Sequence, residues 1–299
     1  MTLATAGRRH IAALWLTQAP FLLIFLAFSV FPVGFSAWLG LSQWDGFSDP
    51  AFVGLKNYQT ALGDPVFRKA AWNTFLLWFW STGLTCGLAL GLAVAINEYA
   101  SFGRNYLRLV FLLPLLVAPA IAAILLRVFF TANGGVVNLM VGAITGEPSY
   151  FDWFASTVWI KPLVILLVIW RWTGWHMIIF LAGLQAIPRD IYEAARMEGV
   201  GRWSIFTRIT LPLLAPSLAF SIITATLGGL QMFDEPFVLT AGQGGTDNAA
   251  TTLGMYLYAT AFTQFDFGLG AAVSWLIFAA VVALTVIYRR VTSTLGAQR

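Results

Sequence analysis

The few residues that could do chemistry in this chain lie within long apolar blocks. Arg171 belongs to the run Trp-Arg-Trp-Thr-Gly-Trp-His at 170–176, and a second apolar block ends in Gln-Met-Phe-Asp-Glu at 231–235. An ionisable side chain deep in a membrane is costly, and it most often faces a cavity or an opposite charge. We expect Arg171 to pair with Asp234 or Glu235 and so fix helix packing, or to line an aqueous path.

Motifs for other kinds of chemistry are missing from the sequence. No G-x-x-x-x-G-K-[ST] loop is present, so any ATP that drives this protein would be hydrolysed by another chain. The two histidines, His10 and His176, lie far apart, and no Cys/His cluster has metal-ligand spacing. No nucleophile motif such as G-x-S-x-G occurs. We expect neither catalytic residues nor a metal site, and a membrane enzyme that uses carboxylates alone is a weaker alternative.

The composition predicts a protein that crosses a membrane several times. Of its 299 residues, 59% are hydrophobic and only 10% are charged, whereas about a quarter of a soluble domain is charged. The net charge of +4 is scattered between apolar blocks, and no run of Lys or Arg exceeds two residues. We therefore expect a lipid membrane, and no nucleic acid, as a partner. Cys86 is the only cysteine, so the chain has no internal disulfide.

Six apolar stretches are long enough to cross about 30 Å of hydrocarbon as helices. Backbone groups in lipid need partners within the protein, and these stretches are too long for barrel strands. The first stretch also exceeds the apolar core of a signal peptide, so we expect it to remain as a span. The predicted fold class is an all-α integral membrane protein with one domain over 1–299. The predicted spans are 13–40, 71–96, 109–130, 161–183, 214–239 and 268–288.

The distribution of basic residues predicts the orientation. An even number of spans places both termini on one side, and cytoplasmic segments carry an excess of Lys and Arg. With cytoplasmic termini, 11 of the 17 basic residues fall in inner segments: Arg8, Arg9, Arg104, Arg108, Arg189, Arg196, Arg202, Arg208, Arg289, Arg290 and Arg299. We therefore expect both termini, and the segment between the fourth and fifth spans, to lie in the cytoplasm.

A polar segment at 188–212 stands out between the fourth and fifth spans. Pro188 suits the first turn of a helix, and Gly199 permits a backbone turn that a side chain would resist. Residues 203–209 predict a second short helix, which Leu211-Pro212 would end. Charge and periodicity leave two alternatives open. The segment is an ordinary connector anchored at the headgroups, or it is a docking site.

The spacing within this segment resembles a known signature. Glu193-Ala194-Ala195, then Gly199, then Ile209-x-Leu211-Pro212 after nine further residues is similar to the EAA loop of ABC-transporter permeases. That resemblance implies the type I ABC importer permease fold of six transmembrane helices. It also implies a coupling helix that docks in a cleft of a separate cytoplasmic ATPase. The implied coupling residues are Glu193, Ala194, Ala195, Gly199, Leu211 and Pro212.

Other stretches resemble the carbohydrate-uptake branch of that family. FVGLKNY at 52–58, WNTF at 72–75 and FDFGLGAA at 265–272 are similar to the maltose-permease-F-like or glycerol-phosphate-permease-A-like members. The resemblance implies a bacterial or archaeal cytoplasmic membrane, a second homologous permease and an extracytoplasmic sugar-binding protein. It also implies two copies of an ATPase that bind ATP and Mg, so that this chain needs no cofactor. The solute would be a disaccharide, an oligosaccharide or a glycerol-3-phosphate-type polyol ester.

A path for a sugar needs aromatic surfaces and hydrogen-bonding side chains. Depth and residue type, with no family motif behind them, select candidates in the fourth and fifth spans. The alternative function is a self-sufficient secondary transporter or channel, which would need matched broken helices and no cytoplasmic docking helix. The segment at 192–212 argues against that alternative. The candidate path residues are Arg171, Trp172, Trp175, Gln231, Phe233 and Asp234.

Overall fold

The computed structural model describes residue 15 and residues 17–99 and 103–296. Residues 13, 14 and 16 of the predicted first span, together with Arg8, Arg9 and Arg299, lie outside the described residues. Thirteen helices longer than one 3₁₀ turn are described in this part of the chain, with a 3₁₀ turn at Thr246–Asn248 and a two-stranded hairpin of β1 (Ser42–Gln43) and β2 (Ala51–Phe52). The first helices are α1 (Thr17–Leu39), α2 (Lys56–Gly63), α3 (Pro65–Tyr99), α4 (Arg104–Leu116), α5 (Pro119–Phe130) and α6 (Val136–Thr145).

The remaining helices follow in the second half of the chain. They are α7 (Ile160–Ala186), α8 (Arg189–Met197), α9 (Arg202–Leu213), α10 (Ala215–Leu230), α11 (Asp234–Leu239), α12 (Leu253–Tyr258) and α13 (Phe267–Gly296). A wider helical turn, Ala259–Thr263, continues α12. Four described helices are long and apolar enough to span a membrane, and two bent helix pairs raise the number to six. The chain is therefore an all-α membrane protein.

The predicted third span differs from the structure, where it forms two helices, α4 and α5, bent by 95°. Pro119 begins α5, and the residue before a proline is pushed toward extended backbone. Val117 and Ala118 are extended accordingly, with ψ angles of 126° and 139°. Pro114 lies inside α4. The apolar pattern over 109–130 is continuous, so hydropathy alone predicts one helix where the proline imposes a break.

The predicted fifth span, 214–239, is also interrupted. Helix α10 ends at Leu230, residues 231–233 leave the helical path, and α11 begins at Asp234. Pro236 accounts for the break, because a continuous helix would need its N–H to donate to the carbonyl four residues earlier, and proline has no N–H. In the first turn of a new helix that N–H has no intrahelical acceptor, so proline is tolerated there.

The described chain forms two compact units, of which the first comprises the described residues within 1–63 and 257–276. Its hairpin is antiparallel, and Ser42 pairs with Phe52. The buried amide of Asn57 donates to the carbonyl oxygens of Gly40 and Ser42 at 3.1 and 2.8 Å, which ties α2 to the start of the hairpin. The prediction of a single domain over 1–299 stays a prediction.

A carboxylate organises the turn of this hairpin. One oxygen of Asp45 accepts hydrogen bonds from the backbone N–H groups of Phe47 and Ser48 and from the Ser48 hydroxyl, at 2.7 to 3.0 Å. Hydrogen bonds to the charged form favour it. These bonds, with that from the Ser48 N–H the largest contribution, lower the pKa of Asp45 to about 2.

The second unit comprises the described residues within 64–256 and 277–299. Helix α3 packs along α7, and α4 and α10 also pack against this pair. Small residues permit the close contacts, as is usual between helices in membranes. An added Cβ at Gly174 would overlap the backbone carbonyl of Phe111, and one at Gly229 would lie 2.7 Å from the Trp78 ring.

The segment between α5 and α7 is held by a buried amide. Asn138 is 1% exposed, and its NH₂ group donates to the carbonyl oxygens of Thr131, Ala132 and Phe151 at 2.9 to 3.1 Å. Its oxygen accepts from the Trp153 indole N–H and from a serine hydroxyl, both at 3.1 Å. The segment is thus an ordered cap around α6.

Candidate functional site

A cavity of about 430 Å³ lies between α3, α7, α10 and the break before α11. Its volume falls in the range of small-molecule sites. The structure brings all six of the predicted path residues to this cavity. They line it together with the hydroxyl groups of Ser81, Thr82, Thr85 and Thr224.

A buried ion pair lies in the wall of the cavity. The guanidinium Nη1 of Arg171 is 2.6 Å from Oε1 of Glu235, and less than a tenth of either side chain is exposed. The same carboxylate oxygen accepts a hydrogen bond from the indole N–H of Trp172 at 3.3 Å. Of the two partners that the sequence left open for Arg171, the structure selects Glu235. The pair joins α7 to the beginning of α11.

The break in the helix brings the path residues to the cavity. Because 231–233 are not helical, Gln231 and Phe233 lie beside the start of α11 instead of on a continued face of α10. The Thr252 hydroxyl donates to the carbonyl of Met232 at 2.7 Å, so one backbone acceptor freed by the break is satisfied. Acidic side chains at the start of α11 are favoured by the positive end of its dipole.

Two buried polar atoms in the lining residues have no hydrogen-bond partner. They are Nε of Arg171 and the hydroxyl oxygen of Thr85, in residues that are 6% and 2% exposed. Leaving such groups unpaired costs free energy. Around them, Trp172 and Trp175 are 37% and 42% exposed. The cavity therefore combines hydroxyl and amide side chains with aromatic surfaces.

Sequence reasoning missed the contribution of α3. Ser81, Thr82 and Thr85 lie in an apolar stretch, where they were given no role. Ser81 and Thr85 are four residues apart and so share a helix face, which is the signal that could have identified them. His176 also lines the cavity, and its Nδ1 lies 2.6 Å from the Ser221 hydroxyl oxygen.

The second candidate site is the segment that joins α7 to α10. Helix α8 ends at Met197, and Gly199, two residues further on, is left-handed with φ of +74°. The N–H of Gly199 donates to the carbonyl of Arg196, and the N–H of Val200 donates to the carbonyl of Ala195, both at 3.0 Å. This is the Schellman arrangement, in which glycine is favoured because it has no Cβ. The structure thus places a tight turn at the glycine that the sequence singled out.

The helix after this turn differs from the prediction in where it ends. Helix α9 runs on through Leu211 and Pro212, and the chain bends by 67° between α9 and α10. Proline fits there because Pro212 falls in the first turn of the α-helical piece Leu211–Leu213, after the wider turn Phe206–Thr210. Leu211 and Pro212 are half-buried.

The predicted coupling residues of α8 differ in exposure. Ala195 is buried, whereas Ala194 and Glu193 are exposed. Glu193 lines a cavity of about 800 Å³ that also includes the ends of α3 and α7. Two large apolar side chains beside the turn, Met197 and Trp203, are 89% and 76% exposed. The segment therefore presents both a charged cavity and apolar side chains to a partner.

Among the residues that the structure describes, no group of three or more His, Cys, Asp or Glu side chains could hold a metal ion.

Comparison with known proteins gives matches over nearly the whole chain. Residues 87–295 match the family profile described as "Binding-protein-dependent transport system inner membrane component". A lactose transport system permease protein of Rhizobium radiobacter is 35% identical over 91% of this chain and 91% of its own length. A sulfoquinovosyl glycerol transport system permease protein of Agrobacterium fabrum is 34% identical over 96% of this chain and 92% of its own length.

A solved structure has the same fold. The matching chain belongs to a bacterial alginate ABC transporter, crystallised in complex with an alginate pentasaccharide-bound periplasmic protein. Its TM-score is 0.84 at 24% identity, over 99% of this chain and 98% of that chain. At that identity the match establishes the fold, which is that of an ABC importer permease.

Proposed function

Because this chain belongs to the family of binding-protein-dependent transport system inner membrane components, we propose that it is a membrane-spanning subunit of an ATP-driven sugar importer. Family membership displaces the alternative of a self-sufficient secondary transporter or channel. It also agrees with the expectation that the chain is a transporter subunit and not an enzyme. The observation that carries the proposal is the match across 209 residues, 87–295, which includes both candidate sites apart from Ser81, Thr82 and Thr85 in the cavity.

The names of the relatives and the chemistry of the cavity both support a sugar as the solute. Transport systems for lactose, sulfoquinovosyl glycerol and trehalose/maltose all contain relatives at 32% to 35% identity. Sugars combine hydroxyl groups with apolar CH faces, and the cavity combines aromatic rings with hydroxyl and amide side chains. We propose that the solute passes Arg171, Trp172, Trp175, Gln231, Phe233 and Asp234. The relatives do not agree on one sugar.

The partners of the proposed importer supply what this chain lacks. We propose that two copies of a cytoplasmic ATPase bind ATP and Mg, that a second homologous permease completes the pathway, and that an extracytoplasmic binding protein delivers the sugar. The sequence has no phosphate-binding loop of its own. The excess of basic residues in the proposed inner segments supports cytoplasmic termini.

The segment with α8 and α9 is the proposed contact with the ATPase. A short helix that enters a groove of a partner needs exposed apolar anchors and a fixed orientation. The exposed Met197 and Trp203 and the turn at Gly199 meet both needs. Closure of the ATPases would move α8, and the bent junction of α9 with α10 would transmit that motion toward the cavity.

Replacing Gly199 by valine tests this proposal. A β-branched residue at φ of +74° is strained by at least about 1–2 kcal/mol, so the turn should rearrange. We expect the sugar transported per ATP hydrolysed to fall roughly tenfold, which is what that strain energy corresponds to. The protein should remain in the membrane. The measurement is ATP hydrolysis and sugar uptake by the assembled transporter in proteoliposomes.

Gly201→Val is the matched control. An added Cβ meets no atom within 4 Å at either glycine, but Gly201 has φ of −67°, which valine adopts without strain. In the control, the sugar transported per ATP hydrolysed should therefore be almost normal. If this ratio were the same in Gly199→Val as in Gly201→Val, the proposed role of the turn would be refuted.

A further inference from the structure

The charges around the cavity are unequal. Arg171, Asp234 and Glu235 are the lining residues of the described chain that are charged at pH 7, since an imidazole such as that of His176 is then mostly neutral. The Arg171 guanidinium is already compensated by Glu235 at 2.6 Å. The Asp234 side chain forms no ion pair or hydrogen bond with a described residue, and it is exposed at the rim. The lining therefore carries a net negative charge.

We infer that this cavity selects uncharged sugars and excludes sugars that bear a carboxylate. This inference rests on the proposed sugar pathway and adds the substrate class to it. An anionic sugar would meet the uncompensated Asp234 carboxylate in a partly dry environment. Among the described lining residues its counter-charge is Arg171, which Glu235 already neutralises at 2.6 Å. A second carboxylate on that guanidinium would leave the three groups with a net negative charge, which is unfavourable in a partly dry site.

The polar side chains that line the cavity suit a neutral sugar. The exposed amide of Gln231 can donate and accept hydrogen bonds. The hydroxyl group of the half-buried Thr82 can also donate or accept. Trp172 and Trp175 offer faces to the CH groups of a pyranose ring. A neutral sugar thus satisfies the cavity without disturbing its ion pair.

The size of the expected discrimination follows from Coulomb's law. Two like charges about 6 Å apart, in an effective dielectric constant of about 20, repel strongly enough to weaken binding on the order of a hundredfold. Asparagine in place of Asp234 removes this repulsion and keeps the size and polarity of the side chain. The ratio of the two dissociation constants, uronate over neutral sugar, should then fall at least tenfold.

The test measures binding to the full-length chain in lipid nanodiscs, followed by its tryptophan fluorescence. The probes are lactose, maltose and trehalose, each paired with the derivative in which one CH₂OH group is oxidised to a carboxylate. We expect a neutral sugar to bind on the order of a hundredfold more tightly than its uronate, and Asp234→Asn to reduce that ratio. Glu147→Gln, an equal charge change at an exposed residue outside the cavity, should leave the ratio unchanged.

The outcomes separate this inference from the proposal on which it rests. If neutral sugars and uronates bound equally well, or if the ratio were the same in Asp234→Asn, charge selection would be refuted and the sugar pathway would stand. If Trp172→Ala left the binding of every probe unaltered, or if no probe bound, the cavity would not be a sugar site. Charge selection would then fall with it.

Discussion

The strongest prediction concerns the buried pair between Arg171 and Glu235. Replacing Arg171 by methionine leaves the Glu235 carboxylate buried and without its counter-charge. Replacing both residues, Arg171 by methionine and Glu235 by glutamine, removes both charges and keeps the volumes similar. We therefore expect the single Arg171→Met variant to be less stable than the double variant.

The structure sets the magnitude of this effect. The two charged atoms lie 2.6 Å apart, and at most 9% of either side chain is exposed. Removing one member of such a pair costs about 3–5 kcal/mol, whereas replacing the whole pair is often close to neutral. In the double variant the side-chain oxygen of glutamine can still accept the Trp172 indole N–H. The magnitude of the coupling free energy in the double-mutant cycle should therefore be at least about 3 kcal/mol.

The measurement is the free energy of unfolding of the full-length chain, from reversible denaturation in mixed micelles, for the wild type, both single variants and the double variant. Arg127→Met serves as a control, because Arg127 is exposed and stacks over the Phe154 ring at 5.3 Å without an ion pair to a described residue. The control should change stability by less than about 1 kcal/mol.

Additivity would refute this reasoning. If the effects of the two single substitutions summed to that of the double variant within about 0.5 kcal/mol, the charges would not stabilise each other. The pair would then not hold the start of α11 against α7. This contact would then not explain why the cavity residues lie where they do.

Two further predictions concern the cavity and the hairpin. Trp172→Ala and Gln231→Ala should each raise the apparent KM for sugar uptake about tenfold. Trp159→Ala, which changes a tryptophan outside the cavity, should leave the KM unaffected. An unchanged KM in both cavity variants would discard the proposed lining. Asp45→Ala should speed amide exchange at residues 47–48. Because the pKa of Asp45 is lowered to about 2, its hydrogen bonds persist above its unfolded value of about 4 and are lost as the pH falls through 2. The ratio of variant to wild-type exchange rates should therefore be equal at pH 7 and pH 5, and a smaller ratio at pH 5 would contradict this.

The long helices were predictable because the membrane imposes a simple rule. A run of about 20 apolar residues has to be helical in lipid, so the stretches at 71–96 and 161–183 mark α3 and α7 well. The structure extends both helices at each end, to Pro65–Tyr99 and Ile160–Ala186, because helix ends also take polar residues that hydropathy does not recognise.

The breaks were less predictable because they depend on single residues within an apolar run. Pro119 begins α5 and Pro236 lies in the first turn of α11, each just after a break in the predicted span, whereas Pro114 lies inside α4 without ending it. Whether a proline breaks a span depends on whether its neighbours satisfy the freed backbone groups, as Thr252 does for Met232. That contact joins residues 20 positions apart, so no local pattern reveals it.

The cavity was partly predictable from depth and residue type. Those criteria selected Arg171 and its aromatic neighbours, because an ionisable residue within a span is rarely without function. They did not choose between Asp234 and Glu235, since both acids lie in the first turn of α11 and only their directions differ. The hydroxyl groups of α3 escaped notice because serine and threonine are common in membrane helices as packing residues.

The central claim is that this chain is driven by the ATPase and does no transport work by itself. The direct test is sugar accumulation in proteoliposomes that contain the chain alone, or the chain with its companion permease, ATPase and binding protein, with ATP supplied on the side of α8 and α9. The account predicts accumulation against a gradient only in the complete assembly and only with ATP. Accumulation by vesicles that hold this chain alone would contradict it.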